Sequence, residues 1–93
     1  MFEEILRQMR KLIRLGKLQV TPHAFTEMQN DSLFIFDVEQ CILTGQIVEQ
    51  QRDLVLEQWK YIIHGISSDG EPMAVVAKLD AKHRVFIITT YTL

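Results

Sequence analysis

Between Phe36 and Arg52 the apolar period of this chain changes, and no fold is open to it that cannot join a helix to a strand at that point. Upstream of FDVEQCILTGQIVEQQR the apolar residues recur at helical spacing; downstream they alternate or run together as in strands. Asp37 followed by Gln40 has the pattern of a capping box at a helix N-terminus. Phe36 and Cys41 stand where a hydrophobic staple forms, and Val38, Cys41 and Ile42 make one apolar stripe. Gly45 closes the helix through the left-handed conformation, and Gln46-Ile47-Val48-Glu49 leaves it as a strand.

The flanking segments follow the same division. Phe2, Ile5, Leu6, Met9, Leu12 and Ile13 give an amphipathic helix over about residues 2–15, ended by Gly16. Its polar side holds Arg7, Arg10, Lys11, Arg14 and Lys17, half of the ten basic residues within eleven positions. Such a cluster receives phosphates or an acidic partner, or it is a solvated face whose charges complement the helix dipole. Leu18 to Val20 is an extended link. Thr21-Pro22 then starts a second helix, over 22–30, with threonine as cap and proline in the first turn. His23 lies in that turn, where an imidazole serves as a proton acceptor or as a structural hydrogen-bonding group. Leu33 to Ile35 is a buried crossing to the third helix, 37–44.

Four strands complete the chain, at about 46–51, 59–66, 73–79 and 84–91. Asp69-Gly70 favours a tight hairpin turn, Asp80 to His83 makes a second short connection, and Leu54-Val55-Leu56 extends either strand of a further hairpin. Short links force neighbours antiparallel. The whole of 1–93 is thus one α+β domain, with two to three N-terminal helices packed on a four-stranded, mainly antiparallel sheet. The last strands hold more apolar residues than a one-sided sheet uses, which points to a homodimer. Period-two alternation groups Lys60 with Ile62 and His64, Ile47 with Glu49 and Gln51, Lys78 with Val76, and Tyr91 with Thr89 and Ile87. If register aligns them, His64, Glu49, Lys78 and Tyr91 line one groove of acid–base and cationic character; the alternative is the ordinary solvated side of an antiparallel sheet.

Composition narrows the function classes. A net charge of -2 and a pI near 5.9 argue against a surface made wholly for nucleic acid. The single cysteine permits no internal disulfide and sits on an apolar stripe, as a core residue in a reducing compartment does. The N-terminus has neither a signal-peptide nor a membrane-anchor pattern, so the expectation is cytoplasmic. Nucleotide-loop and zinc spacings do not occur, and no metal or other cofactor is expected.

Several segments, taken in order, resemble a known family. These are His23-Ala24 with Met28, Asp37-Val38-Glu39-Gln40, Leu43 through Glu49, His64-Gly65 before a glycine-containing turn, and Ile87-Ile88-Thr89-Thr90-Tyr91. Over about residues 20 to 92 they are similar to the small prokaryotic domain of unknown function 4258. The resemblance implies a fold like that of the RelE and MqsR messenger-RNA interferase toxins, and Arg10 to Thr21 also looks like the start of MqsR. It implies in turn a metal-independent ribonuclease of toxin type with RNA as substrate and an antitoxin as partner. His23 is then acid or base, Glu49 its orienter or the base, Lys60 or Arg52 the phosphate clamp, and Tyr91 a hydrogen-bond donor. Where family members commonly have an arginine before the methionine and a basic residue and glycine after it, this chain has Glu27, Asp31 and Ser32. The alternative is a non-catalytic protein-interaction module on the same fold.

Overall fold

The computed structural model describes residues 2–55, 57–80 and 82–93. In chain order they form α1 (Glu3–Arg14), β1 (Leu18–Val20), α2 (Pro22–Asn30), α3 (Ile35–Thr44), β2 (Gln46–Asp53), β3 (Gln58–Ile66), β4 (Pro72–Leu79) and β5 (Val85–Thr92). Leu56 and Ala81, which the sequence assigns to hairpin connections, lie outside the described residues.

Strands β2 to β5 make the antiparallel meander that their short links dictate. The sheet nevertheless has five strands in the order β1-β5-β4-β3-β2, and it is mixed. Leu18 to Val20 is a strand that pairs parallel with Val85 to Ile87, not a link. Three residues are too few to display alternation, so nothing local to the sequence marks them as sheet.

All three helices cover one side of the sheet. Tyr61 and Ile63 of β3, Met73, Val75 and Ala77 of β4, and Val85 and Ile87 of β5 meet Leu6, Met9 and Ile13 of α1, Met28 of α2, and Val38 and Ile42 of α3 in a single core. Thr21 caps α2 as its type and position imply, its Oγ1 accepting from the Ala24 amide at 3.2 Å.

The third helix is held differently from the expectation. Phe34 is the N-cap, so the helix starts about two residues before Asp37, which stands at its third position. The Asp37 carboxylate reaches back to accept from the Phe34 amide at 2.8 Å, one half of a capping box whose other half a phenyl ring cannot supply. That same buried carboxylate accepts from the Ser68 amide at 2.9 Å and from the Ser68 hydroxyl. Asp37 therefore ties the start of α3 to the β3–β4 turn.

At the far end, Gly45 is extended (φ −94°, ψ −170°) and not left-handed. Its lack of a side chain is a matter of space. A Cβ there would stand 2.6 Å from the Cys41 carbonyl oxygen and closer still to that of His64. Gly65 on β3 is under the same constraint, with the Cys41 carbonyl carbon 3.0 Å from where a Cβ would be and its oxygen nearer. The last turn of α3 thus lies directly on the strand. Its free carbonyls are taken by Arg10, which donates from Nε to Ile42 O at 3.0 Å and from Nη2 to Gly45 O at 2.8 Å. Arg10 accordingly leaves the exposed basic set, which is reduced to Arg7, Lys11, Arg14 and Lys17.

Burial alone would raise the Asp37 pKa, but the Ser68 hydroxyl and the Phe34 and Ser68 amides outweigh it and hold the carboxyl below its usual value. Because the folded value is the lower one, the stabilisation is complete above the unfolded pKa of about 4 and is lost as pH falls through the folded value. Asp37→Ala should cost about 2–3 kcal/mol at neutral pH by urea unfolding, a penalty that shrinks on acidification below about pH 4. Gly65→Ala should cost about 2 kcal/mol at every pH, because the helix must lift from the strand.

Candidate functional site

The side of the sheet away from the helices is open, and two bulges decide what faces it. Ile47 pairs with Ile63 but Glu49 pairs with Ile62, so Val48 is an extra residue in β2. Alternation alone would have kept Glu49 on the side of Ile47. The bulge sends Ile47 to the core and turns Glu49 to the open face. In β5, Ala77 pairs with Ile87 and Val76 with Thr89, leaving Ile88 as the extra residue. Ile87 is thereby buried in the core, whereas Thr89 and Tyr91 face outward, which separates the Ile87–Thr89–Tyr91 set that alternation predicts.

Cross-strand register then arranges the open face in rows. Gln46, His64, Ala74 and Tyr91 form one, and Glu49, Ile62, Val76 and Thr89 the next. Beyond them, Gln51 pairs with Lys60 and Lys78 with Phe86, and the adjacent Tyr61–Ala77 pair brings the two half-rows side by side. Ala74 between them is fully buried, so neighbouring side chains close over it, and His64 and Tyr91 stand two strand spacings, about 10 Å, apart. Two cations flank one ring further along the face, with Lys78 Nζ 5.8 Å and Arg84 Cζ 5.1 Å from the Phe86 centroid. Lys78 also donates to Gln58 Oε1 at 2.7 Å, and Arg84 is paired with Asp80 at 3.0 Å. Asp80 is held below its usual pKa: desolvation raises it, but the bonds from Arg84 and the Lys82 amide prevail.

His23 reaches the margin of this face through a residue that the sequence reading treats only as a lost cation. Its Nε2 lies 3.3 Å from Glu27 Oε1, and that oxygen accepts from Thr89 Oγ1 at 2.7 Å and from the Thr90 amide at 3.3 Å. Beyond Ile87 the outer edge of β5 no longer has β1 beside it, and Glu27 satisfies an edge amide there. The i, i+4 spacing of His23 and Glu27 is the signal that reveals this pair. Glu49 is three strand spacings, about 14 Å, from Thr89 across the sheet and accepts from Gln51 Nε2, so the structure does not bring it to His23. Arg52 is separated from the others as well. It pairs with Trp59 on the opposite alternation from Lys60, its guanidinium 5.3 Å over the indole.

The open face therefore carries an imidazole, a phenol, a carboxylate and lysines, groups able to move protons and hold a phosphate. Among the described residues no cluster of three or more His, Cys, Asp or Glu has metal-binding geometry, and no helix is long and apolar enough to cross a membrane. Against known proteins, the family model described as Domain of unknown function (DUF4258) matches residues 20–92, and the chain belongs to that family. The match contains α2, α3 and β2 to β5 and omits α1. No curated protein and no solved structure matches the chain.

Cys41 is no part of this chemistry. It is fully buried on the sheet-facing side of α3, its Sγ 3.7 Å from Met73 O, and burial pushes its thiol pKa up to about 12. A disulfide reagent at pH 8 should leave the native protein unmodified and label Cys41 stoichiometrically in denaturant. Fast native labelling would show that α3 detaches from the sheet.

Proposed function

We propose that the protein is an endoribonuclease of toxin type, on a fold similar to that of RelE and MqsR, which lays single-stranded RNA across the open face of its sheet. The observation that carries this reading is that His64, Tyr91, Lys60 and Lys78 share that face, with His64 and Tyr91 on either side of Ala74 in one cross-strand row. Lys60 is four residues from His64 along β3, about 13 Å of backbone, so an extended strand of RNA meets the lysines and then the His64–Tyr91 row in succession. Phe86 beside Lys78 offers a ring on which a base stacks.

The chemistry follows from these groups. His64 takes the proton of a ribose 2′-hydroxyl, whose oxygen attacks the adjacent phosphorus as the bond to the 5′-oxygen breaks. Tyr91 delivers its proton to that leaving oxygen, and the imidazolium and phenolate exchange a proton through solvent to restore both. The products are a 2′,3′-cyclic phosphate and a 5′-hydroxyl. Lys60 and Lys78 hold the flanking backbone, and the negative charge gathering on the phosphoryl oxygens is stabilised by donors already in place. His23, oriented by Glu27, and Glu49 stand at the two margins as further acid or base groups, and Arg52 meets RNA only outside the face.

A specific observation favours the second reading, a non-catalytic interaction module: Lys78 and Arg84 are already engaged by Gln58 and Asp80. The two readings divide on one assay. Purified protein should cut a labelled single-stranded RNA to cyclic-phosphate ends, with His64→Ala and Tyr91→Phe each lowering the rate by about 100-fold or more. Lys60→Ala should weaken RNA binding and flatten its salt dependence. Equal rates in wild type and both variants, or no cleavage by any, would replace the nuclease with the interaction module.

A further inference from the structure

The α2–α3 connection was expected to be buried, and it is not. Phe34 is 61% exposed, Ile35 43% and Phe36 53%, with Phe34 and Phe36 stacked at 5.5 Å. Beside them an open groove of about 680 Å³ runs between α2 and α3, floored by Val20, Met28 and Leu33 and walled by Phe25, Phe34 and Ile35. It lies apart from the His64–Tyr91 row, at the helical side of the molecule.

Its surroundings are electrically one-sided. From Leu18 to Gln51 the chain holds Glu27, Asp31, Asp37, Glu39 and Glu49 and no lysine or arginine. Asp37 is buried in its bonds to Phe34 and Ser68, but Asp31 adjoins the groove residue Ser32, and Glu39 lies one turn beyond Ile35 on the same side of α3. The exposed cations of α1 lie elsewhere, and Arg10 marks the opposite end of α3. An apolar groove with Asp31 and Glu39 beside it selects a partner with the complementary pattern.

We infer that this groove receives an amphipathic helical segment of another protein, apolar on one face and flanked by lysine or arginine. A small molecule fits it less well, since among the described residues Gln29 and Ser32 are the only polar ones lining it and no charged group lines it to orient one. A helix laid between two helices meets the groove with side chains spaced i, i+3, i+4 and i+7, and its basic flanks face Asp31 and Glu39. The basic helix α1 of a second copy cannot serve as that segment, because its apolar stripe is already in the core.

The test uses a fluorescein-labelled synthetic helix of leucine and lysine with leucines at that spacing, and the same design with glutamate for lysine. Anisotropy should show saturable binding of the lysine peptide, weakened about tenfold or more by Phe34→Ser and by Asp31→Lys with Glu39→Lys, and weakened by salt. The glutamate peptide should not bind. All substituted groups are outside the core, and matching thermal melts confirm intact folding. The inference is overturned if the lysine peptide fails to saturate, if either variant binds it unchanged, if the glutamate peptide binds equally, or if Phe34→Ser dissociates a homodimer.

Discussion

The seating of α3 on the sheet is the constraint from which the rest follows. The helix is fastened at both ends by unlike means. At its start a buried carboxylate, Asp37, spans from its own first turn to Ser68 in the β3–β4 turn. At its finish two glycines let its backbone touch β3, and Arg10 donates from α1 to the carbonyls of Ile42 and Gly45. A charge-assisted cap tolerates no neutral substitute, and a backbone contact tolerates no Cβ. Together they fix which side of the sheet is covered. Cys41 follows as a bystander, its thiol enclosed between its own helix and the sheet.

Covering one side leaves the other free of helices, and the bulges at Val48 and Ile88 set its composition. Each lets a strand bury an isoleucine on the helical side while presenting polar residues outward two positions later. Glu49, Thr89 and Tyr91 owe their orientation to these irregularities, which is the use that bulges near functional surfaces commonly have. Glu27 adds a second device at the margin, where one carboxylate oxygen satisfies the edge of β5 and stands beside His23.

Most elements were legible because their signals are local. Thr21-Pro22 marks the start of α2, Asp69-Gly70 marks a turn, and the 3.6-residue stripe from Ile5 to Ile13 marks α1. The failures are equally physical. Asp37 reads as a cap by residue type, but a residue at the third position can cap backward, and only the fold shows which way it points. Arg10 looks like one more member of a basic cluster until α3 brings carbonyls to it. Gly45 reads as a left-handed helix stop, whereas what it and Gly65 supply is room. On the open face, residue types were readable and register was not, since a two-against-one pairing leaves no mark on composition. The exposure of Phe34 to Phe36 was missed because apolar runs are taken as buried unless something else uses them.

The claim that the open face of the sheet is an RNA surface is tested most directly by backbone amide NMR during titration with a short single-stranded RNA bearing a 2′-deoxy block at every cleavable position. The account predicts saturable shifts at Lys60, Ile62, His64, Ala74, Lys78 and Tyr91, with the amides of α1 and of the α2–α3 groove unmoved. Shifts confined to α1 and its exposed arginines, or no shifts at all, would contradict it.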